Sequence, residues 1–314
     1  MPLPPALARR PSSDPVRISG FPAPGAGLGS CFGEFLRRAV PSHTAYAVAR
    51  GVCDDVAAAL RAELYPKDVL ATMSGSDFLV TGAVGKRTSV SPITEVDMLY
   101  MLPPKLMAQK AGDALKIVWA VLKHRFADVT VAETGVLVPR SAQGQGVSAN
   151  VLPCREHGGA YLIPGTPTLT RASGWSITNP IAEAATLRLS DSLYGGRPRL
   201  LMTALKAWRL HAEVPISSFA LELLAQEFYA GAPRPYELER ALIEFWAWVR
   251  VRPRGAIKPP GGQTEIEIGE EWHGKAKAAY WRATLADHHL KASKLGDAIN
   301  EWRHVLGPNF PQAR

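Results

Sequence analysis

Hydrophobic residues recur at helical spacing in two stretches of the first half of the chain. One stretch runs from Phe32 to Leu64, and the other covers residues 106–126. In both, apolar side chains recur about every four residues and so share one face of a helix. The stripes are Val52, Val56, Leu60 and Leu64 in the first stretch, and Ala111, Leu115, Val118 and Leu122 in the second. We predict that both stretches are helical and pack one face on a core.

Short apolar runs around these helices predict β-strands. The run at residues 78–80 precedes a glycine-led turn, and Asp97 begins a second run, Asp-Met-Leu-Tyr-Met-Leu. Two further strands are predicted over residues 129–138 and 147–152, joined by the loop Ser-Ala-Gln-Gly-Gln-Gly. Residues 155–181 are rich in Gly, Pro and Thr, which predicts irregular structure.

From Leu187 onward the pattern is almost entirely helical. Three apolar stripes follow one another: Leu201, Ala204, Leu205 and Trp208; Leu221, Leu224, Ala225 and Phe228; Leu295, Ile299, Trp302 and Leu306. We therefore divide the chain into an extended arm rich in Pro and Gly (residues 1–30), a mixed lobe (31–185) and a helical lobe (186–314). The predicted fold class is α+β, with a cleft between the two lobes.

The composition fits a globular protein, and its basic net charge is either incidental or suited to an anionic ligand. Of the 314 residues, 46% are hydrophobic, and the formal net charge is +8. A positive net charge suits polyanions such as nucleotides, RNA or DNA. The chain has no basic tract of five or more residues and no motif that reads nucleic acid. Nucleic acid therefore stays an open partner without direct support.

Sequence features also predict a cytoplasmic protein without a membrane partner. No apolar run reaches the ~18 residues that span a bilayer, and the N-terminus lacks the apolar core of a secretory signal. Cys31, Cys53 and Cys154 form no paired spacing. An odd number of unpaired cysteines favours a reducing compartment over a disulfide framework or a zinc site.

The candidate chemistry lies between Thr81 and Asp97. Glu95 and Asp97 are two residues apart after the glycine-led turn, so on a strand both carboxylates leave the same face. Two carboxylates beside a turn of small residues can hold Mg²⁺ together with a nucleoside triphosphate. The alternative is a surface loop, because acid-x-acid pairs are common.

This segment resembles the signature of the polymerase-β-type nucleotidyltransferases, and most closely that of the cGAS/DncV-like nucleotidyltransferases (CD-NTases). The signature is Gly-Ser, five residues, Thr, three residues, Pro, two residues and acid-x-Asp. Here Gly82, Thr88, Pro92, Glu95 and Asp97 match it without a gap, whereas Ala83 replaces the serine. The resemblance implies a polymerase-β-like fold with a long N-terminal spine helix. It also implies that Gly82 and Ala83 bind nucleotide.

The family takes a third carboxylate from a neighbouring strand, in a motif of the form Asp-hydrophobic-hydrophobic-Pro. The matching segment here is Asn150-Val-Leu-Pro153, so Asn150 stands at the position of the third acid. The resemblance implies that Glu95, Asp97 and Asn150 are the catalytic set and the ligands of Mg²⁺ or Mn²⁺. An amide carries no charge and is a poor proton acceptor, so we expect a large loss of rate. Glu133, on the preceding strand, is a less favoured substitute because its register does not match.

Further nucleotide contacts are implied by matches in the helical half. Lys206 belongs to a Lys-x-Trp motif whose lysine reaches the triphosphate in the family, and Ser218 matches a serine that binds phosphate. Each has a simpler alternative: Lys206 as a surface lysine with a buried stem, and Ser218 as a helix cap. Lys86 and Arg87, inside the signature, are interpreted as solvated charges, with a role in guarding the phosphates as the less favoured alternative. Trp175 is expected to line the cleft or to be buried in a loop.

The resemblance implies an enzyme that makes a cyclic di- or trinucleotide from NTPs, with ATP, GTP or both as the expected substrates. The product would activate a downstream effector in bacterial anti-phage signalling of the CBASS type. Asn150 and Ala83 favour an alternative, a nucleotide- or nucleic-acid-binding protein on the same scaffold without catalysis. A third hypothesis is a nucleotidyltransferase that modifies RNA ends or a protein, but no separate RNA-binding domain supports it.

Overall fold

The computed structural model describes residues 27–65, 77–142, 145–165, 174–231, 237–253, 255–262 and 265–313. Most of the predicted N-terminal arm, residues 1–26, lies outside the described residues. None of the helices in the described ranges is long and apolar enough to cross a membrane.

The helices are α1 (Leu28–Ala39), α2 (His43–Leu64), α3 (Gly82–Lys86), α4 (Ala111–Arg125), α5 (Pro180–Tyr194), α6 (Arg197–His211), α7 (Ser218–Ala230), α8 (Leu238–Val249), α9 (His273–Lys291) and α10 (Leu295–Leu306). The strands are β1 (Phe78–Thr81), β2 (Glu95–Met101), β3 (Thr130–Val131), β4 (Val136–Ala142), β5 (Gln145–His157), β6 (Ala160–Pro164), β7 (Trp175–Thr178), β8 (Ala256–Ile257) and β9 (Ile266–Glu267). The chain therefore has the mixed α+β architecture that the sequence predicts.

The main sheet is mixed and centres on β5. Its order is β1-β2-β5-β4-β3, and β6 joins β5 to β7. β2 runs parallel to β5, whereas β1 and β4 are antiparallel to their neighbours. β5 is 13 residues long; its first part pairs with β2 and β4, and its last residues pair with β6. The parallel β2–β5 pair brings two distant parts of the sequence into direct register.

Two large hydrophobic clusters form the cores of the two lobes. The first packs α2 and α4 against the main sheet and buries Val52, Val56, Leu60 and Leu122. The second consists of the helices from α5 onward together with α1. The predicted apolar stripes are therefore core faces, because hydrophobic periodicity marks the side of a helix that packs.

The helical stretch predicted from Phe32 to Leu64 is divided at Pro41 into α1 and α2. Proline lacks the N–H group that would continue the hydrogen bonds of a helix. α2, with 22 residues, is the long helix of the first lobe. α1 instead packs in the helical lobe, where the ring centroid of Phe32 lies 4.9 Å from that of Trp302 and 5.0 Å from that of Phe310. Residues 31–39 therefore pack with the helical lobe, although they were predicted to belong to the mixed lobe.

The strand predicted over residues 129–138 is a hairpin. β3 and β4 are joined by a tight turn in which the N–H of Ala132 donates to the carbonyl of Gly135 over 2.8 Å. β4 and β5 then continue almost to each other, so most of the predicted Ser-Ala-Gln-Gly-Gln-Gly loop is strand. Residues 143–144 and 166–173, which belong to the predicted loops, lie outside the described residues.

Candidate functional site

Gly82 begins α3 directly after β1 and contacts the carboxylate of Asp97. Its φ is +59°, a conformation that favours glycine. A Cβ placed on Gly82 would lie 2.1 Å from Oδ2 of Asp97. Thr81, the last residue of β1, is the antiparallel partner of Asp97. A side chain at position 82 would therefore clash with the Asp97 carboxylate, which explains the glycine at this position.

The acid pair lies at the start of β2, as its spacing predicts. Glu95 and Asp97 alternate with the buried Val96 and share one face of the strand. The parallel register places Glu95 beside Ser148 and Asp97 beside Asn150 on β5. Nδ2 of Asn150 donates a hydrogen bond to Oδ1 of Asp97 over 3.0 Å. The structure thus places Asn150 beside the acid pair, with its amide N–H group directed at Asp97.

The other side of the Asn150 amide faces Gly135. A Cβ at Gly135 would lie 2.1 Å from Oδ1 of Asn150, and this buried oxygen has no hydrogen-bond partner among the residues that the structure describes. A buried acceptor without a donor is uncommon in folded proteins. Glu133, the weaker candidate for a third acid, is exposed in the turn that ends at Gly135.

The electrostatics of the acid pair favour a cation. Burial raises the pKa of the Asp97 carboxyl, while the hydrogen bond from Asn150 and the charge of Lys86 act in the opposite direction. Burial and the neighbouring charge of Asp97 raise the pKa of Glu95. Both shifts mean that the two negative charges are under-compensated. A bound cation would stabilise them.

These residues fit one divalent cation better than two. Mg²⁺ commonly binds through one or two carboxylates together with substrate phosphates, which Glu95 and Asp97 can provide. In the described ranges, no group of three or more His, Cys, Asp or Glu side chains is arranged to hold a metal ion. Asn150 directs its N–H group, not its oxygen, at Asp97, and it adds no charge. The donor set therefore suits a single ion, and it lacks the third anion of a two-metal centre.

Lys206 is buried beside the signature segment. Its Nζ lies 3.0 Å from Oγ1 of Thr88 and contacts Oε1 of Glu222. Thr88 is buried and donates to the same carboxylate oxygen. The structure thus places Lys206 next to the signature, in an ion pair with Glu222.

Lys86 is also buried, which corrects its interpretation as a solvated charge. Its side chain is 5% exposed, and Nζ lies 3.0 Å from Oε2 of Glu183 and 2.5 Å from Oε2 of Glu222. It also lies 4.6 Å from the ring centroid of Phe219. Glu183 and Glu222 were missed by sequence analysis. The available signal was an acid flanked by leucines, Leu221-Glu222-Leu223 on α7.

Burial and the neighbouring opposite charges set the pKa values of Lys86, Lys206 and Glu222. Burial acts to raise the pKa of Glu222, but Lys206 and Lys86 outweigh it and lower the value to about 2. Burial acts to lower the pKa of Lys86, but Glu222 and Glu183 outweigh it and raise it. Burial lowers the pKa of Lys206, which has Glu222 as its single ion-pair partner in the described residues.

Arg87, inside the signature, and Arg199, beside it, both contact other side chains of the protein. Arg87 has φ +54°, and its guanidinium carbon lies 4.9 Å from the ring centroid of Tyr46 on α2. Arg199 on α6 pairs with Asp191 over 2.6 Å and donates to the carbonyl of Lys86. Arg87 is half-buried rather than fully solvated as predicted.

Ser218 is the first residue of α7, and the capping residue is Ser217. The Ser217 side chain accepts a hydrogen bond from the N–H of Ala220 over 3.0 Å. Ser218 is half-buried. Because Ser217 caps the helix, the alternative prediction that Ser218 is a helix cap is wrong. Trp175 is buried, and its indole N–H donates to the carbonyl of Gln109 over 3.1 Å.

Comparison with known proteins shows similarity at the level of structure. No protein-family model and no curated protein sequence matches the chain. CdnC of Escherichia coli MS115-1, solved with ATP, is 14% identical with a TM-score of 0.71, over 90% of this chain and 98% of that one. The CD-NTase CdnG of Bradyrhizobium diazoefficiens, in complex with GTP, is 15% identical with a TM-score of 0.64, over 91% and 96%.

A third similar structure is a mutant of the Vibrio cholerae di-nucleotide cyclase DncV, in complex with ATP and GTP. It is 13% identical with a TM-score of 0.61, over 90% of this chain and 87% of that one. The three structures cover both lobes of this chain and differ from it in most residues. The chain therefore has the fold of the cGAS/DncV-like nucleotidyltransferases.

Proposed function

We propose that this chain binds a nucleoside triphosphate with a divalent cation at Glu95 and Asp97 and acts as a nucleotidyltransferase. The observation that supports this most directly is the environment of Asp97. It shares one face of β2 with Glu95 and lies between the glycine of the signature and the side chain of Asn150. Similar structures contain ATP or GTP, which supports the same ligand class here.

Glu95 and Asp97 would hold the cation, Mg²⁺ or Mn²⁺. When bound, the ion supplies charge that neutralises the phosphates and favours attack on phosphorus. The backbone N–H groups in the first turn of a helix have no acceptor within it. We propose that Gly82 and Ala83 offer such groups to phosphate oxygens, and that the Ser218 hydroxyl contributes on the opposite lobe. Ala83 lacks the hydroxyl that a serine would add.

Asn150 limits the rate of this reaction. The attacking hydroxyl must lose a proton, and an amide is a poor acceptor for it. Moreover, the Asn150 N–H already occupies one lone pair of Asp97. General-base contributions are commonly about 10²–10⁴-fold. We propose a reduction of this order relative to a site with aspartate at position 150.

The proposed product is a cyclic di- or trinucleotide made from ATP or GTP. The similar structures include a di-nucleotide cyclase and a c-di-GMP synthase, which supports this class of product. We further propose that it is a cytoplasmic messenger that activates a separate effector in anti-phage signalling. The first lobe would bind the nucleotide through β2 and α3, and the helical lobe would close the site.

The test is incubation of the purified chain with four labelled NTPs and Mg²⁺ or Mn²⁺, followed by phosphatase and chromatography. A phosphatase-resistant product identified by mass spectrometry as a cyclic oligonucleotide is the expected result. Asp97→Asn is the matched control, because it removes one charge and should abolish the product. A linear or protein-attached product would instead favour the hypothesis of RNA-end or protein modification.

A second candidate function is nucleotide binding without catalysis. The hydrogen bond from Asn150 to Asp97 favours it, because an uncharged amide stands at the position where the family motif has a third carboxylate. Under this hypothesis the chain binds Mg²⁺–ATP in calorimetry but forms no product, and Asn150→Asp gains product formation. Product from the unchanged chain would rule this candidate out.

A further inference from the structure

Lys86, the last residue of α3, is held by the helical lobe at both its side chain and its backbone. Its Nζ lies 3.0 Å from Oε2 of Glu183 on α5 and 2.5 Å from Oε2 of Glu222 on α7. The carbonyl of Lys86 accepts a hydrogen bond from Arg199 on α6, and Arg199 pairs with Asp191 on α5 over 2.6 Å. Three helices of the second lobe therefore hold one residue of the first.

The next residue along the chain contacts the first lobe instead. The guanidinium carbon of Arg87 lies 4.9 Å from the ring centroid of Tyr46 on α2. Arg87 has the left-handed conformation that ends α3, and the two consecutive basic side chains contact different lobes. Lys86 and Arg87 therefore form a matched pair for testing which contact positions α3.

The ion pairs of Lys86 are buried, so their loss would be costly. Lys86 is 5% exposed, Glu183 6% and Glu222 2%. Removing one partner of a buried ion pair is strongly unfavourable, because the charge left behind lacks compensation. Glu222 also pairs with Lys206, but its ion pair with Lys86 remains if Lys206 turns to a ligand. The link between α3 and the helical lobe therefore does not depend on Lys206.

The other end of α3 lies against the acid pair. The helix begins at Gly82, where a Cβ would lie 2.1 Å from Oδ2 of Asp97, and it is 5 residues long. Because a helix rises about 1.5 Å per residue, Lys86 is only about 6 Å along the axis from Gly82. A displacement of Lys86 would thus move the backbone that faces Asp97.

We propose that Lys86 is a positioning residue: through Glu183 and Glu222 it ties α3 to the helical lobe and so sets where residues 82 and 83 lie relative to Asp97. This inference rests on the proposed function, because residues 82 and 83 belong to the proposed nucleotide site. The tie is a property of the protein without nucleotide, so it can be measured separately.

The experiment compares three variants of the full chain with a control. Lys86→Met removes both ion pairs, and Lys86→Arg keeps the positive charge. Lys86→Met/Glu183→Gln also removes both pairs but leaves Lys206 and Glu222 as a balanced pair. Arg87→Met is the matched control, since it removes a positive charge one residue further along, where the contact lies within the first lobe.

The measurements are hydrogen exchange of residues 82–88 without nucleotide, the melting temperature, and the Kd of Mg²⁺–ATP by calorimetry. We expect Lys86→Met to lower the melting temperature, to speed exchange by about tenfold or more, and to weaken Mg²⁺–ATP binding. The double variant should regain part of the melting temperature, because its charges balance, while exchange stays fast and binding stays weak. Lys86→Arg and Arg87→Met should stay within about threefold of the unchanged protein in exchange and affinity.

Other results would overturn the proposal. Recovery of both exchange and binding in the double variant would mean that Lys86 only balances charge. Weaker Mg²⁺–ATP binding with unchanged exchange would make Lys86 a phosphate ligand. Exchange in Arg87→Met as fast as in Lys86→Met would show that the contacts with the helical lobe have no special role.

Failure of the proposed function would be seen separately. If the unchanged protein binds no Mg²⁺–ATP, the proposed function fails, and hydrogen exchange alone decides whether Lys86 positions α3. If Lys86→Met fails to fold, the balanced double variant decides.

Discussion

At the scale of single residues, two uncharged positions shape the acid site. Gly82 leaves the space that the Asp97 carboxylate fills, and Asn150 donates a hydrogen bond to the same carboxylate. One neighbour therefore controls access to Asp97, and the other controls its charge and its free lone pairs. Changes at the two positions should therefore affect the proposed cation binding in opposite directions.

Asn150→Asp should strengthen Mg²⁺ binding by about tenfold or more, because a third carboxylate adds direct attraction to the ion. Any nucleotide-joining rate should rise with it. The melting temperature without Mg²⁺ should fall, since three carboxylates then repel one another. Titration with Mn²⁺ followed by electron paramagnetic resonance measures the affinity. Asn150→Leu is the control and should show no gain; equal affinity in the Asp variant would mean that position 150 is not a ligand position.

Gly82→Ala should destabilise the protein by about 2–4 kcal/mol, because the new Cβ meets Asp97 and the positive φ strains alanine. Cation binding should weaken as the carboxylate is displaced. Gly112→Ala is a matched control on α4, where a Cβ meets nothing within 4 Å and alanine favours the helix. Thermal unfolding of both variants measures the difference, and equal melting temperatures would contradict the close contact.

At the scale of elements, helix starts and strand register decide which polar groups lie beside the acid pair. The parallel β2–β5 register alone aligns Asp97 with Asn150; a shift by one residue would turn Asn150 to the other face. On α7, the capping of the first turn by Ser217 leaves Ser218 one position further along the helix. The two serines should therefore differ in their effects.

Ser217→Ala should lower stability by about 1 kcal/mol through the loss of the cap, with no change in nucleotide affinity. Ser218→Ala should leave the melting temperature nearly unchanged and weaken binding of Mg²⁺–ATP. Denaturant unfolding and calorimetry on the same two proteins separate these effects. If Ser218→Ala binds Mg²⁺–ATP normally, the serine has no role in phosphate binding.

At the scale of the whole molecule, the two hydrophobic cores are joined by paired charges at the signature. Lys86 on α3 pairs with Glu183 on α5 and with Glu222 on α7, and Glu222 also pairs with Lys206 on α6. The pair Arg199–Asp191 adds a further contact between α6 and α5. The stability of the lobe junction should therefore depend on pH.

The stabilising contribution of Glu222 should be lost in acid. Its pKa is about 2 in the folded chain, below its ordinary value of 4.5, so the folded state binds fewer protons. Its contribution is complete above about pH 4.5 and is lost as the pH falls toward 2. Melting temperatures measured from pH 6 down to pH 2.5 should fall more steeply for the unchanged protein than for Lys206→Met/Glu222→Gln. Parallel curves would contradict this assignment.

Local pattern alone determined much of this protein. Hydrophobic periodicity predicted the stripes on α2, α4, α6 and α7 because the spacing of side chains on a helix is a local property. The same reasoning placed Glu95 and Asp97 on one face of a strand. The role of Gly82, by contrast, was predicted from the match to the family signature and not from local pattern.

Only the tertiary structure decided how these parts meet. Lys86, Glu183, Lys206 and Glu222 are far apart in sequence, and their burial depends on how two lobes pack. The assignment of α1 to the helical lobe and the orientation of the Asn150 amide depend on packing in the same way. Sequence spacing constrains a side chain within one element, whereas the partner of a buried charge is chosen by the contacts between elements.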